Sequence, residues 1–226
     1  MSRWQLISIF GESAFLLPCA VFLYGWLRWH GANAIARHWL LAFSATAIIV
    51  LLSKLAFMGW GIGSQSLNFT GFSGHAMMAA AMLPVLACLA VPPEHRTLSR
   101  LAAAGGVVLA LAVGVSRLAL HAHSVSEVAS GLLLGYCVSL PFIARREVPR
   151  GPLAMLMASA ALAVLLVLPI GNVAGVTHIW VEDIATFLSG RERPFQRGEW
   201  SWRGAGSNYR TSGPGTRPCR PPGCSV

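Results

Sequence analysis

The stretch Ser116–Glu127 reads SRLALHAHSVSE and sets an arginine, two histidines and a glutamate between apolar runs near 101–118 and 124–144. Runs of this kind approach the ~20 residues that a membrane-crossing helix needs. An ionisable group in such surroundings is costly unless it is paired or lines a water-filled cavity. The stretch therefore predicts part of a polar site at the ends of membrane helices.

A second polar island, Ser73-Gly74-His75, lies upstream and follows Lys54. Together the two islands offer two histidines, two cations and one carboxylate within an apolar chain. Groups of this kind are typical of a site for an anion. Phosphate is the anion that we expect there.

Composition indicates a membrane protein. Of the 226 residues, 55% are hydrophobic and 11% are charged, whereas soluble domains carry about 25% charged residues. The net charge of +9 comes from basic residues in short loops and in the C-terminal tail, with no basic stripe interleaved with aromatic residues. We therefore expect membrane lipids as partners and no nucleic acid.

The fold predicted from these patterns is all-α, a polytopic membrane helix bundle of about six transmembrane helices. The third and fourth apolar segments are shorter than the others, and we expect them to end at a wet pocket. Residues 1–190 form the predicted membrane domain, with an interfacial amphipathic helix near 177–188. Residues 191–226, rich in basic residues, Gly and Pro, are expected to be disordered. The six segments lie near 6–27 (one uncleaved helix), 39–60, 75–91, 101–118, 124–144 and 153–171.

Arginines in alternate loops predict the orientation. By the positive-inside rule, the loops that carry them face the cytoplasm. Both polar islands then face the periplasm or the exterior from a multi-pass protein of the inner (plasma) membrane. The loop arginines are Arg28, Arg37, Arg96, Arg100, Arg145, Arg146 and Arg150.

The first island suits anion binding and proton donation. Ser73 or Gly74 is the expected N-cap of the following helix, whose free N–H groups and positive dipole end attract an oxyanion. Gly74 lets that oxyanion approach the backbone. His75 lies in the first turn, where it can give a proton to a leaving oxygen.

The second island supplies a cation and a nucleophile. Arg117 offers a planar fork that matches two phosphate oxygens. His123 and Glu127 are four residues apart and share one face if a helix begins there. A carboxylate on one imidazole nitrogen makes the other nitrogen more nucleophilic. His123 can then attack phosphorus to form a phosphohistidine.

These residues resemble the type 2 phosphatidic acid phosphatase (PAP2) superfamily. Ser73-Gly74-His75 is similar to its second motif, and Ser116-Arg117, five residues, His123, three residues and an acidic residue match its third. The resemblance covers about 54–131. It implies His123 as nucleophile, His75 as acid and Glu127 as the orienting group. It also implies Arg117 and Lys54 as phosphate ligands, which join Ser73 and Gly74 at the helix start. We expect no metal or other cofactor, because the carboxylates and histidines are too few for a two-metal site.

The chain departs from the family pattern at several positions. Gly61 stands where the first motif has arginine, and no proline follows it; Phe72 replaces a proline and Glu127 an aspartate. Glu127 also completes a capping box with Ser124, which is an alternative role. Lys54 has the alternative of snorkelling to the interface.

Two further ionisable groups, His121 and Glu12, have no assigned role in the motifs. His121 competes with His123, and the motif spacing selects His123. Glu12, in the first apolar segment, needs a partner, and its place near the outward end suits a cation or water.

The predicted function is dephosphorylation of a lipid phosphate or pyrophosphate, of the phosphatidic acid, phosphatidylglycerol phosphate or undecaprenyl pyrophosphate class. One alternative is a catalytically impaired protein of this family that binds or transports lipid phosphates. A haem-binding membrane protein is a further alternative.

Overall fold

The computed structural model describes residues 2–92, 94–145 and 173–199, and its regular secondary structure is helical throughout these ranges. The residues through Gln196 belong to one compact unit, and the 3₁₀ turn Arg197–Glu199 belongs to another. The helices are α1 (Arg3–Ile9), α2 (Ser13–Trp29), α3 (Asn33–Trp60), α4 (Gly74–Leu89), α5 (Arg96–Ala119), α6 (Val125–Ala144) and α7 (Val173–Ser189).

The chain is an all-α membrane bundle, as predicted. Four stretches of the described chain are long and apolar enough to cross a bilayer, and α4 is a shorter apolar helix between them. The predicted segment 153–171 and the tail beyond 199 lie outside the described residues. With that segment, the architecture fits about six transmembrane helices. The four long stretches are Arg3–Trp29, Asn33–Trp60, Arg96–Ala119 and Val125–Ala144.

Two predicted boundaries are wrong. The first apolar segment is interrupted, because α1 ends at Ile9 and α2 begins only at Ser13 with Glu12 as its N-cap. The fourth segment is not short, since α5 starts at Arg96 and has 24 residues. Its polar first turn is helical because buried Ser99 donates its hydroxyl to the Cys88 carbonyl at the end of α4.

Helix α4 is the centre of the bundle. Twelve of its 16 residues are buried, and alanines or methionines occupy most of Ala76–Met82. Small side chains let neighbouring helices approach closely in a membrane, where hydrophobic attraction between helices is weak. Gly106 on α5 and Gly131 on α6 lie at such close contacts. A Cβ on Gly106 would lie 2.6 Å from the Leu83 carbonyl oxygen, and one on Gly131 would lie 2.6 Å from the Ser73 carbonyl oxygen.

Helix α7 packs on α3. A Cβ on Gly59 would lie 3.3 Å from the Ala185 carbonyl oxygen, and the Phe195 N–H donates to the Met58 carbonyl. The interfacial helix predicted near 177–188 falls within α7, and its placement at a membrane surface stays a prediction.

Chain connectivity brings four helix ends together. The C-terminal ends of α3 and α5 and the N-terminal ends of α4 and α6 meet at one end of the bundle. The loop 61–73 crosses this end and is fastened there, because Ser53 Oγ accepts the Phe72 N–H and the Leu67 carbonyl accepts the Ser126 hydroxyl. The two polar islands are therefore neighbours.

Candidate active site

His123 and Glu127 form the most buried polar pair in the site. His123 Nδ1 lies 2.8 Å from Glu127 Oε2, and the Glu127 side chain is completely buried. Glu127 also accepts the Ser124 N–H, while Ser124 Oγ accepts the Glu127 N–H, which completes a capping box. The capping box considered for Glu127 is confirmed, and the same carboxylate contacts His123.

The same carboxylate holds the loop that precedes α4. Its Oε1 accepts both the backbone N–H and the hydroxyl of Thr70 at 2.6 Å. In addition, the Ser73 N–H donates to the Glu127 carbonyl at 3.1 Å. With His123 and Ser124 included, at least four hydrogen bonds reach this carboxylate. Such a set favours its ionised form and fixes its position.

His75 has a carboxylate partner as well. Its Nε2 lies 3.0 Å from Glu12 Oε1, and the two side chains are 21% and 19% exposed. Ser73 is the N-cap of α4 and places His75 in the first turn, although its side chain makes no capping hydrogen bond. The predicted proton donor therefore lies at the helix end with one imidazole nitrogen engaged.

Arg117 and Lys54 bring positive charge to the histidines. Arg117 Nη1 donates to Ser8 Oγ at 2.8 Å, which ties α5 to α1. Lys54 Nζ would lie 3.9 Å from a Cβ on Gly74, so the ammonium group is next to the start of α4. Within the described part of the chain, the buried Arg117 Nε and Ser73 Oγ have no hydrogen-bond partner.

Burial lowers the pKa of His123, and the nearby charges of Lys54 and Arg117 lower it further, while Glu127 opposes them. A neutral imidazole has a free lone pair, which a nucleophile requires. When Nδ1–H is donated to Glu127, Nε2 carries the lone pair, since tautomers follow the hydrogen-bond network.

The described residues contain no cluster of three or more His, Cys, Asp or Glu side chains that could hold a metal ion. What the site offers instead is two imidazoles, two carboxylates and two cations around the start of α4. Such a set can bind an oxyanion and move protons.

Comparison with protein families identifies the chain. The model of the PAP2 superfamily matches residues 11–148, which is more than half of the sequence. The chain belongs to the PAP2 superfamily. A relative from Klebsiella pneumoniae, an "Uncharacterized 22.5 kDa protein in cps region", is 39% identical over 201 residues and covers 86% of this chain and 96% of its own length. No solved structure matches this PAP2 protein.

His121 and His123, between which the PAP2 motif spacing selects His123, have different surroundings in the structure. His121 is exposed and has a positive φ of 53° at the end of α5. There the His121 N–H donates to the Leu118 carbonyl and the Ala122 N–H to the Arg117 carbonyl, as in a Schellman ending. His121 thus lies at the end of α5, and the turn that follows places His123 beside Glu127.

Several residues of the PAP2 site were not found from the sequence. Thr70 and Ser8 contact Glu127 and Arg117 across 57 and 109 residues of chain. No local pattern encodes such pairs. Glu12 did carry a signal, because a carboxylate in an apolar segment requires a partner. That partner is His75, which lies 63 residues away.

Proposed function

We propose that this PAP2 protein is an integral-membrane phosphatase that hydrolyses a lipid phosphate or pyrophosphate through a phosphohistidine. The observation that carries the proposal is the Glu127–His123 pair, 2.8 Å apart and flanked by the charges of Arg117 and Lys54. A nucleophile oriented by a buried carboxylate beside an anion site is the arrangement that covalent phosphoryl transfer needs.

In the first step, His123 Nε2 forms a bond to phosphorus while the bond from phosphorus to the leaving oxygen breaks. His75 gives its proton to that oxygen, and Glu127 stabilises the positive charge that develops on His123. Arg117, Lys54 and the N–H groups at the start of α4 neutralise the equatorial oxygens.

In the second step, water attacks phosphorus and the P–N bond breaks. The neutral His75 takes a proton from the water, which restores both histidines and releases inorganic phosphate. This sequence uses only side chains that the bundle brings together at one end.

The setting of the site supports a lipid substrate on the outer face of the inner (plasma) membrane. The site occupies one end of the bundle, while Arg28, Arg37, Arg96 and Arg145 lie at the other ends of the same helices. By the positive-inside rule, the arginine-bearing end is cytoplasmic. The site then opens to the periplasm or exterior, where an acyl or prenyl chain can remain in the bilayer.

Gly61 supports a second candidate function, which is the binding or transport of lipid phosphates by a PAP2-like protein without hydrolysis. This glycine ends α3 with a positive φ of 68°, a conformation that disfavours the arginine of the family pattern. The site then lacks one cation, which would weaken transition-state stabilisation. This alternative predicts binding of lipid phosphate with no release of inorganic phosphate.

Release of inorganic phosphate separates the two functions. The purified protein is tested with phosphatidic acid, phosphatidylglycerol phosphate and undecaprenyl pyrophosphate in mixed micelles, as wild type, His123→Ala and His121→Ala. We expect wild type to release phosphate and His123→Ala to lose on the order of 10³-fold or more in rate. His121→Ala is the matched control and should keep nearly full activity.

Quenching in alkaline detergent during turnover should trap phosphate on wild type and on His121→Ala but not on His123→Ala, because the P–N bond of a phosphohistidine survives alkali and not acid. An inactive His121→Ala beside an active His123→Ala would show that the nucleophile is assigned two residues too late. Binding without release by wild type would favour the second function.

A further inference from the structure

Among the described residues, Glu12 is the one carboxylate near the site that the proposed mechanism leaves unused. It is the N-cap of α2, where the chain turns between α1 and α2, and it makes no capping hydrogen bond with its side chain. Its Oε1 instead lies 3.0 Å from His75 Nε2. The carboxylate is partly buried and pairs with the imidazole that the mechanism uses as the acid.

The turn that holds Glu12 is fitted to the neighbouring helices. A Cβ on Gly11 would lie 2.6 Å from Val113 Cγ1 and 3.0 Å from the His75 carbonyl oxygen. The backbone therefore touches the first turn of α4 because residue 11 has no side chain. Close packing of this kind holds the backbone beside Glu12 against the start of α4.

The charges around His75 indicate how the Glu12 carboxylate affects the imidazole. Besides Glu12, the charged groups that act on His75 are Arg117 on α5 and Lys54 on α3, both positive. Two cations and burial disfavour a proton on the imidazole, whereas an adjacent carboxylate favours it. An acid must carry that proton when the substrate binds.

We propose that Glu12 is a positioning residue for His75, whose ring it turns toward the leaving oxygen and whose protonated form it stabilises. The inference rests on the proposed function and deepens it. The Nε2 proton stays on the ring and is donated to Glu12 Oε1, and the Nδ1 proton is the one transferred as the bond from phosphorus to oxygen breaks. Glu12 and Glu127 thus serve two histidines with different tasks, one acid and one nucleophile.

The pairing also favours a class of substrate. An alkoxide leaves poorly unless it is protonated, whereas a nitrophenolate or a phosphate leaves without much help. A well-supported acid therefore benefits alkyl phosphate monoesters most. We infer that lipid phosphate monoesters depend on Glu12 more strongly than pyrophosphates do.

The experiment compares two substrates that differ in leaving group, a short-chain phosphatidic acid and p-nitrophenyl phosphate. Glu12→Gln keeps the shape and removes the charge, Glu12→Asp keeps the charge, and Glu94→Gln is a matched control in the exposed connection before α5. For Glu12→Gln we expect a loss of about 10- to 100-fold in kcat with phosphatidic acid and under about threefold with p-nitrophenyl phosphate.

Three further readouts separate positioning from folding. In Glu12→Gln, the alkaline limb of the pH–rate profile should move to lower pH, and Glu12→Asp should recover part of the activity. The double variant Glu12→Gln/His75→Ala should be no slower than His75→Ala, because both act through one proton transfer. The control Glu94→Gln should match wild type on both substrates.

Equal losses on the two substrates, or an unmoved alkaline limb, would overturn the inference and leave Glu12 a structural residue. Wild-type release with an unaffected Glu12→Gln would overturn the inference alone. No release by wild type from any substrate would overturn the proposed function itself.

Discussion

At the scale of single residues, the two carboxylates of the site differ in how firmly they are held. Glu127 is completely buried and accepts at least four hydrogen bonds, whereas Glu12 is 19% exposed and contacts His75. A nucleophile profits from a fixed imidazole, since attack on phosphorus tolerates little misalignment. A proton donor works through a hydrogen bond that adjusts as the leaving oxygen moves away.

The state of His123 is testable by histidine NMR. Because burial lowers its pKa, we expect His123 to be neutral at pH 7 and to protonate only below the ordinary value of about 6.5. Acidification through that midpoint removes the lone pair, so kcat/KM should fall as pH falls. The measurement is a pH titration of labelled histidines in detergent.

The resonance that is missing in His123→Ala assigns the signal. A midpoint at or above 6.5 would mean that Glu127 outweighs burial and the two cations, and a midpoint above 7 would contradict a nucleophile that is neutral at pH 7.

Sequence reasoning reached those parts of the site that are encoded locally. The spacing of His123 and Glu127 predicted their contact, although His123 lies just before Ser124, the N-cap of α6, and Ser124 predicted the capping box. Thr70 was not predicted, because its bonds to Glu127 depend on how the loop 61–73 crosses the bundle. The roles of the site residues stay proposals.

At the scale of elements, close helix packing around α4 depends on single glycines. Gly105 and Gly106 are neighbours on α5 with opposite surroundings. A Cβ on Gly106 would meet the backbone of Leu83 and Pro84 at 2.6 Å, whereas one on Gly105 would meet no described residue within 4 Å. The close contact between α5 and α4 therefore requires a glycine at position 106.

This difference provides a paired test. Gly106→Ala should force α5 from α4 and lower the free energy of unfolding by about 1–3 kcal/mol. Gly105→Ala should be neutral or slightly stabilising, because alanine favours a helix by up to about 1 kcal/mol over glycine. Thermal unfolding in detergent measures both, and equal melting temperatures would contradict the α4–α5 contact.

Hydropathy predicted most helices but misplaced two boundaries for physical reasons. Mean hydropathy does not detect the break between α1 and α2 at residues 10–12, because this break depends on the packing of Gly11 against α4. The start of α5 at Arg96 was excluded because its first turn is polar. That turn is helical since Ser99 bonds to α4, a contact between elements.

At the scale of the whole molecule, the arginine-bearing helix ends lie opposite the site. Helix α5 alone separates them by about 36 Å at 1.5 Å per residue over its 24 residues. That distance exceeds the ~30 Å of a hydrocarbon core. A phosphate group at the site and the loops at Gly31 and Glu94 are therefore expected on opposite sides of the membrane.

Reporter fusions test this topology. Fusions at Gly31 and Glu94 should report a cytoplasmic location, and a fusion at Gln65 in the loop over the site should report the periplasm or exterior. The Gln65 fusion is the control for reporter expression. A periplasmic signal at Gly31 or Glu94 would invert the orientation and place the site in the cytoplasm.

The contact between Ser8 and Arg117 has a consequence for biosynthesis. The two residues are 109 positions apart, and translation at about 5–20 residues per second separates their synthesis by roughly 5–20 s. During that interval α1 is made while its partner on α5 does not yet exist. Ser8 and Glu12 therefore lie at the translocation machinery or in the bilayer without their partners during this time. The hydrogen bond between Arg117 and Ser8 can form only after α2, α3 and α4 have been synthesised.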